Sequence, residues 1–270
     1  MKRISTLYTA AALLLAATAC NNAGISSDDT VAFKAVTSEK TYRLAGTAED
    51  YETENDLNFQ CKASLQLPVS LMGKDVKTLN RAIIKTAFDT TGTDTQALIY
   101  DNFKSVMTEG SFTPADTTSD PEFTDGFYIL TGTLANLDEK HLSYSVQKSV
   151  EYPRMAHPMY GTTYINYDIE EGKIIELTDL FTPEGLKALP AILAEKAKDM
   201  AYYLGPTNIE NLPSDNNFYI SANNGDLIFS YGIYEVASYA QGEIEVPVPP
   251  YFVAEYLTPY GKKLLLNYEE

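Results

Sequence analysis

Strict alternation over residues 56–69 constrains this chain more than any other stretch. Leu57, Phe59, Cys61, Ala63, Leu65, Leu67 and Val69 alternate with Asn58, Gln60, Lys62, Ser64, Gln66 and Pro68. Successive side chains of a strand point to opposite faces, so a period of two predicts a strand with one buried and one wet face. Cys61 falls on the apolar side. A thiol there reads as core rather than as a nucleophile, and no nearby motif supplies a base.

Helical spacing follows. Val76, Leu79, Ile83, Ile84 and Phe88 recur at helix period, with Asp75 placed to cap the start. Asp94 opens a second helix carrying Leu98, Ile99, Asn102, Phe103, Val106 and Met107. Residues 109–126 are polar, hold Pro114 and Pro121, and read as a long loop. Residues 127–137 and 142–152 predict paired strands, with Leu142, Tyr144, Val146, Val150 and Tyr152 on one face. Residues 162–169 predict another strand, which turns at 170–173 and returns over 174–177. Thr182-Pro183-Glu184 opens a helix: Thr caps, Pro suits the first turn and Glu favours the positive end. Pro190 should kink or split that helix, and Gly205-Pro206 should end it. Asn223-Asn224-Gly225-Asp226 marks a hairpin between strands at 218–222 and 227–231, because Asn-Gly tolerates positive φ. Strands at 243–248 and 263–268 and a short helix at 251–257 complete the reading. Clustered strands with a few helices argue for an α+β fold, mostly antiparallel sheets with a few packed helices in two subdomains. The expected units are residues 41–152 and 153–270.

The N-terminus has the layout of an export signal. Lys2 and Arg3 precede an apolar stretch centred on Leu13-Leu14-Leu15, and Ala17-Thr18-Ala19 leads into Cys20. That stretch is too short to span a bilayer of about 30 Å. The expectation is a lipoprotein signal peptide over residues 1–19, an acylated Cys20, and a flexible tether over 20–40 whose Asn, Ser, Asp and Thr content cannot bury a core. The protein would then sit in the cell envelope, lipid-anchored, on the outer membrane. Cys20 is consumed by lipid, so Cys61 lacks a disulfide partner and the fold must rest on its core. The formal charge is -17, and removal of residues 1–19, which carry Lys2 and Arg3 and no acid, takes it to -19. Such a surface repels nucleic-acid phosphates and anionic lipid heads and attracts cations and basic proteins.

Catalytic motifs are sparse. His141 and His157 are the only histidines, and neither stands in a metal-ligand spacing. No Gly-x-Ser-x-Gly elbow or phosphate-cradling Gly-rich loop occurs. Asp168 with Glu170, and Glu243 with Glu245, are spaced to share a strand face and to hold Ca²⁺ or act as acid and base, although solvated faces are the default for so acidic a chain. The chain has 20 Tyr, 11 Phe and no Trp, with Tyr231, Tyr234, Tyr239, Tyr251, Phe252, Tyr256 and Tyr260 crowded near the C-terminus. Tyrosine offers a ring for stacking and a hydroxyl for hydrogen bonding, which suits sugars and protein partners as well as strand packing.

An ordered series of motifs carries a resemblance. Ala156-His157-Pro158 is followed by Tyr164-Ile165-Asn166-Tyr167-Asp168, Glu171-Gly172-Lys173 and Leu177-Thr178-Asp179-Leu180-Phe181. Asn217-Phe218-Tyr219, Leu227-Ile228-Phe229 and residues 234–242 complete it. The series resembles the extracellular domain of lysozyme-sensing anti-sigma-V factors (RsiV-like), which also accompanies a peptidoglycan N-deacetylase and occurs in many lipoproteins of unknown role. It covers roughly residues 144–266. The family usually has Gly-Gly before Ala-His, where this chain has Arg154-Met155, side chains that resist a glycine backbone shape. The cytoplasmic segment and spanning helix of the anti-sigma factors, and the deacetylase catalytic domain, have no counterpart among these motifs.

The sequence therefore leads us to expect a non-catalytic envelope lipoprotein, with no cofactor and no metal, that binds a protein or cell-wall glycan. An envelope protein, a peptidoglycan fragment or a basic lysozyme-like protein would be the partner, and His157, Tyr234 and Tyr239 the ligand-binding residues. A cell-wall polysaccharide hydrolase or deacetylase accessory enzyme, and a purely structural envelope lipoprotein, are the alternatives.

Overall fold

The computed structural model describes residues 31–46, 57–116, 124–198, 212, 214–215 and 217–266. The expected signal peptide, Cys20, the expected tether up to residue 30 and the expected helix stop at Gly205-Pro206 lie outside the described residues.

The alternating run forms β2 (Leu57–Leu71), and Leu57, Phe59, Cys61, Ala63 and Leu65 are all buried. Burial pushes the Cys61 thiol up to about 12, so it stays protonated. β1 (Val31–Gly46) pairs antiparallel with β2 along almost its whole length. The tether reading is corrected here: residues 31–40 are strand, because Val31, Phe33 and Val36 pack on the core despite polar neighbours that hide a clear period. The expected long loop at 109–126 is also corrected, since β3 (Phe112–Asp116) within it pairs with the C-terminal part of β1.

β4 (Gly126–Leu137), β5 (His141–Glu151), β6 (Met159–Asp168) and β7 (Lys173–Ile175) complete a seven-stranded sheet of order β3-β1-β2-β4-β5-β6-β7. Every neighbouring pair is antiparallel except β2 with β4. Parallel neighbours need a crossover. Here it contains α1 (Lys77–Phe88) and α2 (Thr95–Glu109), which bury Leu79, Ile83, Ile99 and Phe103 in the same core as the apolar face of β2. The Asp94 side chain caps α2 as expected, accepting from Ala97 N at 3.1 Å. Val76 rather than Asp75 takes the N-cap of α1, and Asp75 accepts from Lys77 N.

The second lobe builds on a three-stranded sheet of β8 (Phe218–Ile220), β9 (Leu227–Tyr231) and β10 (Ile244–Val248), ordered β10-β9-β8. The hairpin at 223–226 is present, with Gly225 at φ +72°. Against this sheet lie α3 (Leu177–Leu180), α4 (Pro183–Lys198), a 3₁₀ segment (Pro250–Tyr256) and α5 (Pro259–Leu265). Two expectations change. α4 runs unbroken through Pro190. The strand expected at 263–268 is helix up to Leu265, because Thr258 caps it by accepting from Gly261 N and Pro259 suits its first turn.

The α+β class with mostly antiparallel sheets holds, but the expected division at 152/153 does not. β5 and β6 pair from His141–Asp168 to Val150–Met159, straight across that boundary. One core ends at Ile169 and the other begins at Ile175. Among the described residues no helix is long and apolar enough to cross a membrane.

Candidate functional site

Where the lobes meet, β5 and β6 are buried on both faces. Leu142, Tyr144, Ile165 and Tyr167 face the helix-covered core, while His141, Ser143, Asn166 and Asp168 face the small sheet. Each of these four polar residues is matched. The Ser143 hydroxyl donates to Asn166 Oδ1 at 2.7 Å and accepts from Ile220 N at 3.2 Å. Asn166 Nδ2 donates to Phe218 O at 2.8 Å. Asp168 accepts from Tyr260 OH at 2.7 Å and Glu171 N at 2.8 Å. His141 contacts Asp138 through Nδ1 at 2.7 Å and Ile220 O through Nε2 at 3.3 Å. Asp, His and Ser thus come together, but the free His141 nitrogen faces a carbonyl and the Ser143 proton goes to an amide. A nucleophile needs its base at its own oxygen, so the seam reads as lobe-to-lobe hydrogen bonding.

Each carboxylate of the two pairs has its own partners. β6 ends at Asp168, leaving Glu170 in the following turn beside Lys263. Glu243 precedes β10 and accepts from Thr162 N at 2.6 Å and Thr162 Oγ1 at 3.0 Å. Glu245 accepts from Tyr164 OH and Tyr219 OH at 3.5 and 3.3 Å. Burial and then the Glu245 charge push the Tyr219 hydroxyl up to about 12. With Asn217, which accepts from Tyr164 N and donates to Thr162 O, these groups cover the exposed edge of β6.

The three residues expected to bind ligand form one aromatic shelf. His157 lies in the β5–β6 loop; Tyr234 and Tyr239 lie between β9 and β10. The His157 and Tyr239 rings stack at 3.7 Å between centroids and 24° between planes. Tyr234 lies 5.7 Å from Tyr239, and its hydroxyl is 3.1 Å from His157 Nε2. His157 Nδ1 is 3.3 Å from Pro158 O. A carbonyl only accepts, so a neutral ring holds its proton on Nδ1 and accepts the Tyr234 O–H at Nε2. Desolvation, and then Tyr160, Tyr234 and Glu151, push the Tyr239 hydroxyl up.

The scaffold under the shelf is local. Glu235 accepts from Gly232 N at 2.8 Å, and Ser238 with Gln241 makes a capping box around the 3₁₀ turn Tyr239–Gln241. Gly242 at φ +73° ends that turn. On the other side Arg154 adopts φ +69°, the left-handed region that glycine favours. Tyr160 was missed in the sequence, although it follows His157-Pro158 closely. Its ring stands edge-on to Tyr239 at 6.1 Å.

Comparison places this chain beside proteins of unknown role. Residues 178–251 match the family described as a protein of unknown function, DUF3298. The matched residues include Tyr234 and Tyr239 but not His157. The fold is similar to a DUF3298-family structure from Bacteroides fragilis, at 17% identity and TM-score 0.62, covering 87% of this chain and 96% of that one. It is also similar to a DUF3298-family protein from Pseudomonas aeruginosa, at 15% identity and TM-score 0.53, covering 86% and 97%. No protein of curated function matches.

Proposed function

We propose, starting from a two-lobed α+β chain that matches the DUF3298 family over residues 178–251, that the protein is a non-catalytic recognition module of the cell envelope. It docks a peptidoglycan fragment or an envelope protein on the shelf of His157, Tyr234 and Tyr239. The stacking of His157 on Tyr239 beside a 56% exposed Tyr234 carries this reading. A stacked His–Tyr pair with tyrosine hydroxyls at its edge suits the faces and hydroxyl groups of sugars. Tyr234 at φ +65° supports it as well, because a large side chain in the left-handed region costs about 1–2 kcal/mol and functional loops are where such strain collects. Acylation at Cys20 would hold the module on a membrane, with mature-protein mass spectrometry as the check.

The test is sedimentation of the full-length protein, in detergent, with purified wall sacculi. His157→Ala and Tyr239→Ala are expected to weaken binding about tenfold, the scale of a lost stacking contact. Unchanged binding in both variants overturns the shelf reading.

The charge of -17 favours a second reading, a basic protein on the same shelf. The resemblance to lysozyme-sensing factors points to a lysozyme-like partner. Capture of lysozyme that weakens with added salt supports it, and salt-independent or absent capture removes it.

A further inference from the structure

β6 carries the shelf onward along the sheet. Tyr160, Thr162 and Tyr164 are alternate residues of one strand, so their side chains share a face. The Tyr160 ring stands edge-on to Tyr239 of the shelf, and the Tyr164 ring lies 4.7 Å from that of Tyr219 on β8. Tyr160, Tyr164, Tyr219 and Tyr239 are each half-buried. Tyr160 and Tyr164 stand about 13 Å apart along the strand, farther than one sugar ring reaches. At the far end Glu245 is exposed and accepts from Tyr164 OH and Tyr219 OH at 3.5 and 3.3 Å, both at the surface. A carboxylate has about four lone-pair sites, so it can take further donors.

The sheet beside this row is neutral. Thr162, Gln147 and Thr131 lie in register across β6, β5 and β4, and Ser64 and Thr37 continue that register across β2 and β1. Helices α1 and α2 pack on the opposite face, and Gln147 is exposed on this one. The five side chains offer hydroxyls and one amide and no charge. Threonine suits any wet strand face, so the floor alone names no partner. The tyrosines along its border do, because rings beside uncharged donors and acceptors complement a chain of sugars, whereas a basic protein would find no acid on this floor. We propose that an extended neutral polysaccharide, a β-linked hexosamine chain, lies along β6 from the shelf to Tyr219. Its ring faces rest on the tyrosines, and its hydroxyls donate to Glu245 and pair with Gln147. This inference rests on the glycan reading of the shelf and adds that the site takes several sugar units in line.

Calorimetric titration of the full-length protein in detergent tests it, with hexa-N-acetylchitohexaose against di-N-acetylchitobiose. The hexasaccharide spans both ring pairs and is expected to bind about tenfold more tightly than the disaccharide, which the shelf holds alone. Tyr219→Ala is expected to remove that tenfold advantage and leave the disaccharide unchanged, while Tyr219→Phe keeps the ring and most of the advantage. Gln147→Ala, on the exposed floor, is expected to weaken the hexasaccharide several-fold at an unchanged thermal midpoint, and it decides the matter if Tyr219→Ala fails to fold. Equal affinity for the two sugars overturns the proposal, as does no binding of the hexasaccharide. So does a loss that is equal for both sugars, or absent for both, in Tyr219→Ala or, where that variant fails to fold, in Gln147→Ala. If sacculus binding still falls in His157→Ala and Tyr239→Ala under any of those outcomes, the shelf reading stands without the extended row.

Discussion

Arg154 occupies a backbone region that glycine visits freely and a side chain enters at a cost of about 1–2 kcal/mol. Met155 holds the loop in place: its N–H donates to Tyr152 O at 3.1 Å, and its sulfur accepts from Tyr152 N at 3.2 Å. Arg154→Gly should therefore raise stability by about 1 kcal/mol once the extra freedom of glycine in the unfolded chain is subtracted. Urea denaturation of the two proteins checks this. Asp138 gives a pH signature. Burial raises its pKa, but the hydrogen bonds and charge of His141 outweigh that and hold the carboxyl below its ordinary value. A depressed folded pKa contributes stability that is present above the unfolded value of about 3.9 and is lost as pH falls through the folded one. Asp138→Asn is expected to flatten that acid limb in denaturation curves taken between about pH 2 and 7. It should also lower neutral-pH stability by about 1 kcal/mol, a figure discounted because the carboxylate is partly in water.

Among the elements, α4 is the one that contradicts its own local signal. Pro190 lacks the N–H that would bond one turn back, yet the helix continues from Pro183 to Lys198. Buried Leu189, Leu193, Ala194 and Ala197 hold it against the small sheet, and the Pro190 carbonyl accepts from Leu212 N at 3.0 Å. Packing of one face outweighs a defect in the ladder. Pro190→Ala should raise the midpoint of thermal unfolding, through a gain of about 1–3 kcal/mol, without moving the helix. A fall would mean that the ring itself packs. β6 makes a complementary case. Among the described residues no strand pairs with the outer side of its N-terminal half, and side chains of the second lobe, Glu243 and Asn217, take the N–H groups of Thr162 and Tyr164.

Over the whole molecule, that sharing of β6 ties the lobes together. The buried seam of His141, Ser143, Asn166 and Asp168 spans from the large sheet to Ile220, Phe218 and Tyr260. Two cores connected through matched buried polar groups should unfold as one cooperative unit. Calorimetry is expected to show a single transition. Asn166→Ala leaves the Ser143 hydroxyl and the Phe218 carbonyl without their partner and should cost about 2–3 kcal/mol. Two resolved transitions in wild type would contradict this coupling.

Much of the local structure was legible in the chain. Alternation at Leu57–Leu71 declared a one-sided strand, Asp94 declared a helix start, and Asn224-Gly225 declared the hairpin. These signals lie within a few residues of one another, because strand period, cap and turn are local geometry. His157, Tyr234 and Tyr239 were named by motif and aromatic content, but their contact joins loops 77 residues apart and has no local mark. The same holds for β1 with β3, for the parallel β2–β4 pair and for the division of cores between Ile169 and Ile175. A period tells which face of an element is buried. Which partner buries it is settled by the free energy of the assembled sheets and helices.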